Sequence, residues 1–155
     1  VNGGIVSSRQ GVKVWTEILI PDEVEDILVL PGGHTANKLL RLEPNKLKII
    51  KAAAQEADIC MMIANGSSVL AQTGLLYHRH IADYPGEENW KRMFTAEIRR
   101  EQNVKWISDG KYYSSSSTMA GFDMALGVIS DMVDIELAIH IANELGYEWN
   151  QEMMF

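Results

Sequence analysis

The chain has 155 residues, 46% of them hydrophobic, and carries 21 acidic against 14 basic side chains for a formal net charge of −7. Those figures fit one domain over residues 1–155 that can hide roughly 70% of its unfolded surface without a disulfide or metal staple. The acidic balance argues against a nucleic acid partner, and no apolar run approaches the ~20 residues of a bilayer span, so no membrane partner is expected either.

The first residues, Val1-Asn2-Gly3-Gly4, hold no basic region followed by an apolar stretch. Cys60 is the single cysteine, and no His/Cys cluster has zinc-ligand spacing. A reducing, cytoplasmic setting is therefore expected, with no metal and no cofactor. Asp26 to Leu30 and Asp58 to Ile63 are short, continuously apolar and bounded by turn residues, the pattern of strands buried on both faces of a parallel sheet. Between them Leu47, Ile50 and Ala54 share one helical stripe, with Lys46, Lys48 and Lys51 mostly opposite.

Beyond Ile63, Ser67 to Thr73 reads as a short helix that Gly74 could end. A strand is expected near Arg79 to Ala82, and a looser helical spacing runs from Trp90 through Met93 and Phe94 to Ile98. Val104 to Ile107 and Lys111 to Ser115 flank a hairpin-type turn at Ser108-Asp109-Gly110. Two helices close the chain, on stripes from Met124 to Met132 and from Ile135 to Leu145, with Gly146 as a stop; both stripes read as core packing. Alternating strands and helices predict a three-layer α/β sandwich, a mostly parallel flavodoxin-like sheet with helices on both faces. In such a sheet, function gathers at the carboxyl ends of the strands, here after Leu30 and after Ile63.

The run from Met61 to Ala71 passes from a buried strand into a helix through Ala64-Asn65-Gly66, the setting of a nucleophile elbow. Such a turn lifts one side chain above the sheet toward free helix N–H groups, which favours a thiolate or an oxyanion. Alanine at the tip can neither attack nor carry a proton. A plain Gly-containing turn after a central strand would look the same.

Residues 64–76, Ala-Asn-Gly-Ser-Ser-Val-Leu-Ala-Gln-Thr-Gly-Leu-Leu, resemble the ThiJ/PfpI superfamily signature, in which Cys-Thr/Asn-Gly-Ala/Ser opens a helix ending Ala-Gly-Leu-Leu. Gly4 to Val14 resembles that family's strand pair, and Asp26 to Gly33 its Asp-Xaa-Leu-Val-Val-Pro-Gly-Gly. Val104 to Gly110, Ala120 to Leu126 and Ala142 to Trp149 match its later segments in the same order. The resemblance implies the class I glutamine amidotransferase-like fold and is nearest to the branch of isocyanide hydratases and amidase-like halves of transcription regulators. It also implies a β-α-β unit before the Gly4 segment, which this chain lacks and which is expected to precede Val1 in the parent protein.

Position by position, the resemblance puts Ala64 where the family has its cysteine nucleophile. Main-chain N–H groups of Gly33, His34 and Asn65 would form an anion-binding hole, each worth roughly 3 kcal/mol toward an oxyanion. Asp83 or Tyr84 stands where many relatives supply a histidine. Ser116 and Ser117, in the hydroxyl run Ser114 to Thr118, would line the pocket or else satisfy backbone groups. His78 and His80 read as surface residues, Tyr112 and Tyr113 as packing residues, and Cys60 as core. The family's activity would be cysteine attack on a small electrophile, as in a hydratase or amidase. Ala64 makes this chain inactive in that sense, either as a replaced nucleophile or as a natural pseudoenzyme that binds or senses a small molecule. A homodimer is expected as the family's usual assembly.

Overall fold

The computed structural model describes residues 3–24, 26–34, 36, 43–94 and 97–151. Four strands form its main sheet in the order β3-β4-β8-β7. Strand β4 (Ile59–Ile63) runs parallel to both β3 (Ile27–Leu30) and β8 (Tyr112–Ser115), and β7 (Trp106–Asp109) turns back antiparallel beside β8. Its position explains its composition: β4 has strands on both sides and helices on both faces, and such a strand has no solvent face to carry a charge. At the outer edge, β3 pairs only with β4 among the described residues, and its Ile27 and Val29 stay exposed.

Two helices cover one face. Helix α1 (Pro44–Glu56) starts on a proline, whose missing N–H is no loss at a first helical position, and buries Ala53 and Ala54 against Leu28, Cys60 and Met62. The ammonium of Lys111 donates to the carbonyls of Gln55 and Ala57 at 2.8 and 2.7 Å, closing the last turn of α1 with a cation. Helix α2 (Gly66–Ala71) completes this layer, with Leu70 fully buried. On the opposite face α4 (Ala120–Met132) sets Met124 and Val128 on Met61, Trp106 and Tyr113. Helix α5 (Ile135–Glu144) packs on α4 and opens on Asp134, whose side chain accepts from the Leu137 amide at 2.7 Å. The expected sandwich is therefore observed, a mostly parallel sheet between helical layers.

Three details differ from expectation. The helix around Trp90 is α3 (Glu88–Phe94) and does not run on to Ile98, because residues 99–101 form β6 (Arg99–Glu101), parallel to β5 (His80–Ala82). Charged and short, β6 shows no apolar period; its strand nature comes from pairing alone. Ser108 and Asp109 both belong to β7 rather than to the turn, which falls to Gly110 and Lys111, with Gly110 at φ +60°. The Asp109 carboxylate accepts from the Arg79 guanidinium and the His80 amide, both at 2.8 Å, and so ties β5 to the main sheet. Burial pushes the Asp109 carboxyl up, but those two donors outweigh it and hold it below the usual range.

Hairpin β1 (Gly4–Ser7) and β2 (Lys13–Thr16) stands apart, with Ile5, Val6, Val14 and Trp15 all largely exposed. At the other end, buried Asp123 on α4 accepts from the Tyr147 hydroxyl at 3.1 Å and the Asn150 amide at 2.9 Å, while the Trp149 indole donates to its main-chain carbonyl.

Candidate functional site

Beyond Ile63 the backbone turns sharply at Ala64, whose φ of +50° puts a side-chain-bearing residue in the left-handed region. That conformation costs on the order of 1 kcal/mol and persists only where its surroundings enforce it. The enforcement is visible two residues on. A Cβ built on Gly66 would lie 2.1 Å from the Leu30 carbonyl oxygen, so α2 can start this close to the end of β3 only on a glycine. Gly32 is needed for the mirror reason: its Cβ would fall 2.4 Å from Asn65 Oδ1 and 2.9 Å from the Ile63 oxygen. The Pro31 turn and the elbow are thus pressed together, backbone on backbone.

Two hollows meet at the elbow, sharing Ala64, Asn65 and Thr118. The larger, about 440 Å³, is walled by Pro31, Gly32, Gly33, His34 and Ile63. The smaller, about 260 Å³, is walled by Tyr84, Pro85, Glu87, Ser116 and Ser117. The sequence-predicted residues Ala64, Gly33, His34, Asn65, Tyr84, Ser116 and Ser117 are therefore brought to one cleft.

Asp83 is not. It lines neither hollow and is drawn instead into an ion pair with Lys91 at 2.9 Å, with Arg100 at 3.6 Å. The physical reason is Lys91, only 4% exposed, whose buried charge requires a carboxylate. Lys91 and Arg100 also lie against the Tyr84 ring, at 4.5 and 5.6 Å from its centroid.

Gly33 is at the rim, but its N–H is not open to a ligand as the resemblance implied. It donates to Asn65 Oδ1 at 2.9 Å, while Asn65 Nδ2 donates back to the Gly33 carbonyl at 3.0 Å. The Ala64 N–H is also engaged, with Ser115 Oγ at 3.3 Å, and that hydroxyl donates onward to the Ser117 carbonyl at 3.0 Å. The hydroxyl run divides its labour. Ser114 and Ser115 are buried and serve the backbone, Ser114 Oγ accepting from the Ala82 amide at 2.8 Å. Ser116 donates to the Lys105 carbonyl, and Ser117 accepts from the Ala120 amide at the start of α4, yet both border the smaller hollow.

Tyr84 is 3% exposed and stands at the centre of a proton chain. Its hydroxyl donates to Glu87 at 3.0 Å and lies 2.5 Å from Ser68 Oγ, which must then be the donor in that pair. Burial, with smaller contributions from its neighbours, pushes the phenol up to about 12. Sequence reading missed Glu87 and the partnership with Ser68, whereas Thr118, the end of the expected hydroxyl run, borders both hollows. Glu87 could have been suspected from Pro85-Gly86, a turn that carries the next residue back over Tyr84; both Gly86 and Glu87 have positive φ. Among the described residues no group of three or more His, Cys, Asp and Glu side chains could hold a metal ion, and no helix is long and apolar enough to cross a membrane.

A buried parallel strand entering a strained bend, with a hollow on each side of its tip, defines an α/β protein of the nucleophile-elbow class. This chain belongs to the DJ-1/PfpI family, whose model matches residues 1–131. It is 24% identical to an isonitrile hydratase of Pseudomonas putida over 143 residues, covering 92% of this chain and 61% of that protein. It is 31% identical to a deglycase of Pyrococcus abyssi over 87 residues, 54% of this chain and 51% of that one. The chain thus spans between half and two thirds of the length of these relatives. Among solved structures it is similar to an AraC family transcriptional regulator from Pseudomonas putida, with TM-score 0.73, 19% identity and coverage of 93% and 77% of the two chains. Drosophila melanogaster DJ-1beta gives TM-score 0.72 at 18% identity over 95% and 79%.

Proposed function

We propose that this chain keeps the elbow of a cysteine hydratase or amidase without its nucleophile and uses the cleft to bind a small molecule that it does not turn over. One observation carries the reading: the side chain at the tip of the bend, which borders both hollows, is the methyl group of Ala64. Covalent catalysis at an elbow needs an attacking atom there, and a methyl group has no lone pair to offer. The backbone strain that presents the tip is nevertheless retained, and the cleft on both sides of it is open.

The test pairs the chain with its Ala64→Cys variant. The unmodified chain is expected to show no turnover of isonitriles, amides or glycated substrates, yet to gain thermal stability in a small-molecule screen, by about 2.7 kcal/mol for a ligand at a hundred times its Kd. The variant should gain a thiol that reacts with small electrophiles at the elbow. Turnover by the unmodified chain that survives mutation of the cleft residues would count against the elbow as the working site. Turnover abolished by those mutations would overturn the non-catalytic reading.

A further inference from the structure

Past α5, Gly146 reverses the backbone at φ +61°, and residues 147–150, which belong to no helix or strand and are at most half-buried, return to Asp123 on the first turn of α4. That carboxylate is 2% exposed. One of its oxygens accepts from the Tyr147 hydroxyl at 3.1 Å and the Asn150 amide at 2.9 Å, the other lies 3.6 Å from the Lys105 ammonium, and the Trp149 indole donates to the Asp123 main-chain carbonyl. A buried carboxylate stripped of donors is costly. If residues 147–150 lift away, the first turn of α4 must therefore shift until water reaches Asp123 in their place.

That turn does not move alone, because two routes lead from it to the cleft. The first is the start of α4 itself. The Ala120 amide donates to Ser117 Oγ at 3.1 Å and the Gly121 amide to the Ser117 carbonyl at 3.2 Å, while Gly121 packs so near the elbow strand that a Cβ there would lie 3.3 Å from Ile63 Cγ2. The second is Lys105. Its ammonium faces Asp123, and its carbonyl accepts from both the amide and the hydroxyl of Ser116, at 2.8 and 3.1 Å. Both routes end on residues 116–118, which line the smaller hollow.

We infer that residues 147–150 are a strap closed on Asp123, and that the strap and the Ser116–Thr118 wall of the cleft open together as one unit while β4 stays paired. The strap then sets whether the smaller hollow keeps its shape. Its effect on a bound ligand rests on the binding reading above; the coupling of strap to wall does not.

The experiment is amide hydrogen exchange by NMR on the whole chain without ligand, in urea rising to concentrations below the unfolding transition. The probes are the amides of Asn150 in the strap, Ser116 in the wall and Gly121 between them, set against Cys60 in β4, whose amide donates to the Lys111 carbonyl at 2.8 Å. The first three should converge on one opening free energy and one urea slope, both smaller than those of Cys60. Tyr147→Phe, a conservative change at a half-buried position, should speed exchange at all three alike, roughly tenfold, through loss of the hydrogen bond to Asp123. An Asn150 amide that opens on its own slope, or a Tyr147→Phe effect confined to it, overturns the coupling. Exchange of all four amides on the Cys60 slope overturns the strap as a separate unit. The unmodified chain alone decides both points if the variant does not fold. A small-molecule screen that finds no ligand would leave the coupling standing, and lost coupling would leave the cleft a binding site.

Discussion

The two walls of the cleft are made in different ways. On the elbow side, position is enforced by backbone meeting backbone: Gly66 lies under the Leu30 carbonyl, Gly32 lies against Ile63 and Asn65, and Ala64 is held at a positive φ between them. On the hydroxyl side, position depends on side-chain hydrogen bonds, from Ser68 to Tyr84 to Glu87 and from Ser115 to Ser117. A wall of the first kind tolerates no added atom but accepts many side chains at the tip, so a nucleophile can be exchanged for a methyl group with little harm to the frame. A wall of the second kind tolerates shape changes and is ruined by the loss of one proton donor.

The contrast is sharpest at Gly66. Gly66→Val should destabilise the domain by about 3 kcal/mol or more, read as a drop in urea midpoint at unchanged m, because the clashing atom is a main-chain carbonyl with no rotamer to escape into. A loss below about 1 kcal/mol would show that the elbow side is as yielding as the other.

Alkaline pH probes the hydroxyl side and its counterpart behind the sheet. Tyr84 is pushed up to about 12, chiefly by burial, and so is Tyr113, by burial and by the Asp131 carboxylate it donates to at 2.7 Å. Between about pH 10 and 12 the unfolded chain releases these protons and the folded one keeps them. Unfolding is therefore favoured as pH rises through that window, and the contribution of these two phenols should be flat below it. Ultraviolet titration should show Tyr84 and Tyr113 as the last phenols to ionise, with Tyr112 and Tyr147 also raised, and Tyr84→Phe should remove one of the last two.

The same substitution should cost about 1–2 kcal/mol by thermal melt, since it leaves the buried Ser68 hydroxyl without its acceptor. Ser68→Ala introduced along with it should recover part of that loss. Smallest of all, Ala64→Gly should raise stability slightly, by about 0.5 kcal/mol, because relief of the left-handed strain is partly offset by the freer unfolded chain. A loss there would mean that the Ala64 methyl packs against something and that the tip is not open.

The same division explains what could be read in the sequence. Strand β4 was legible because six consecutive apolar residues from Ile59 would be bounded by Asp58 and the Asn65-Gly66 turn only if buried on both faces, give or take the alanine at its end. The elbow was legible because few sequences satisfy a sharp strand-to-helix turn, and Ala64-Asn65-Gly66 does. Strand β6 was not legible: Arg99-Arg100-Glu101 gains its conformation from β5, seventeen or more residues away. Nor was the closed state of the Gly33 donor, because the motif supplies an asparagine without saying where its carboxamide will turn. Asp83 and Tyr84 were equal candidates in sequence and part in space, since buried Lys91 claims the first and Ser68 the second.

Cys60 lies fully buried in β4 with its thiol donating to the Ala54 carbonyl at 3.4 Å, and burial, partly countered by Lys111, raises its pKa. A maleimide or an iodoacetamide will therefore find little native sulfur to modify. Cysteine installed at position 64 would be the single fast-labelling thiol on the folded molecule, so a fluorophore or spin label could be fixed at the tip of the bend without first editing the background. The slow reaction of Cys60 would then serve in the same sample as a clock for opening of the sheet.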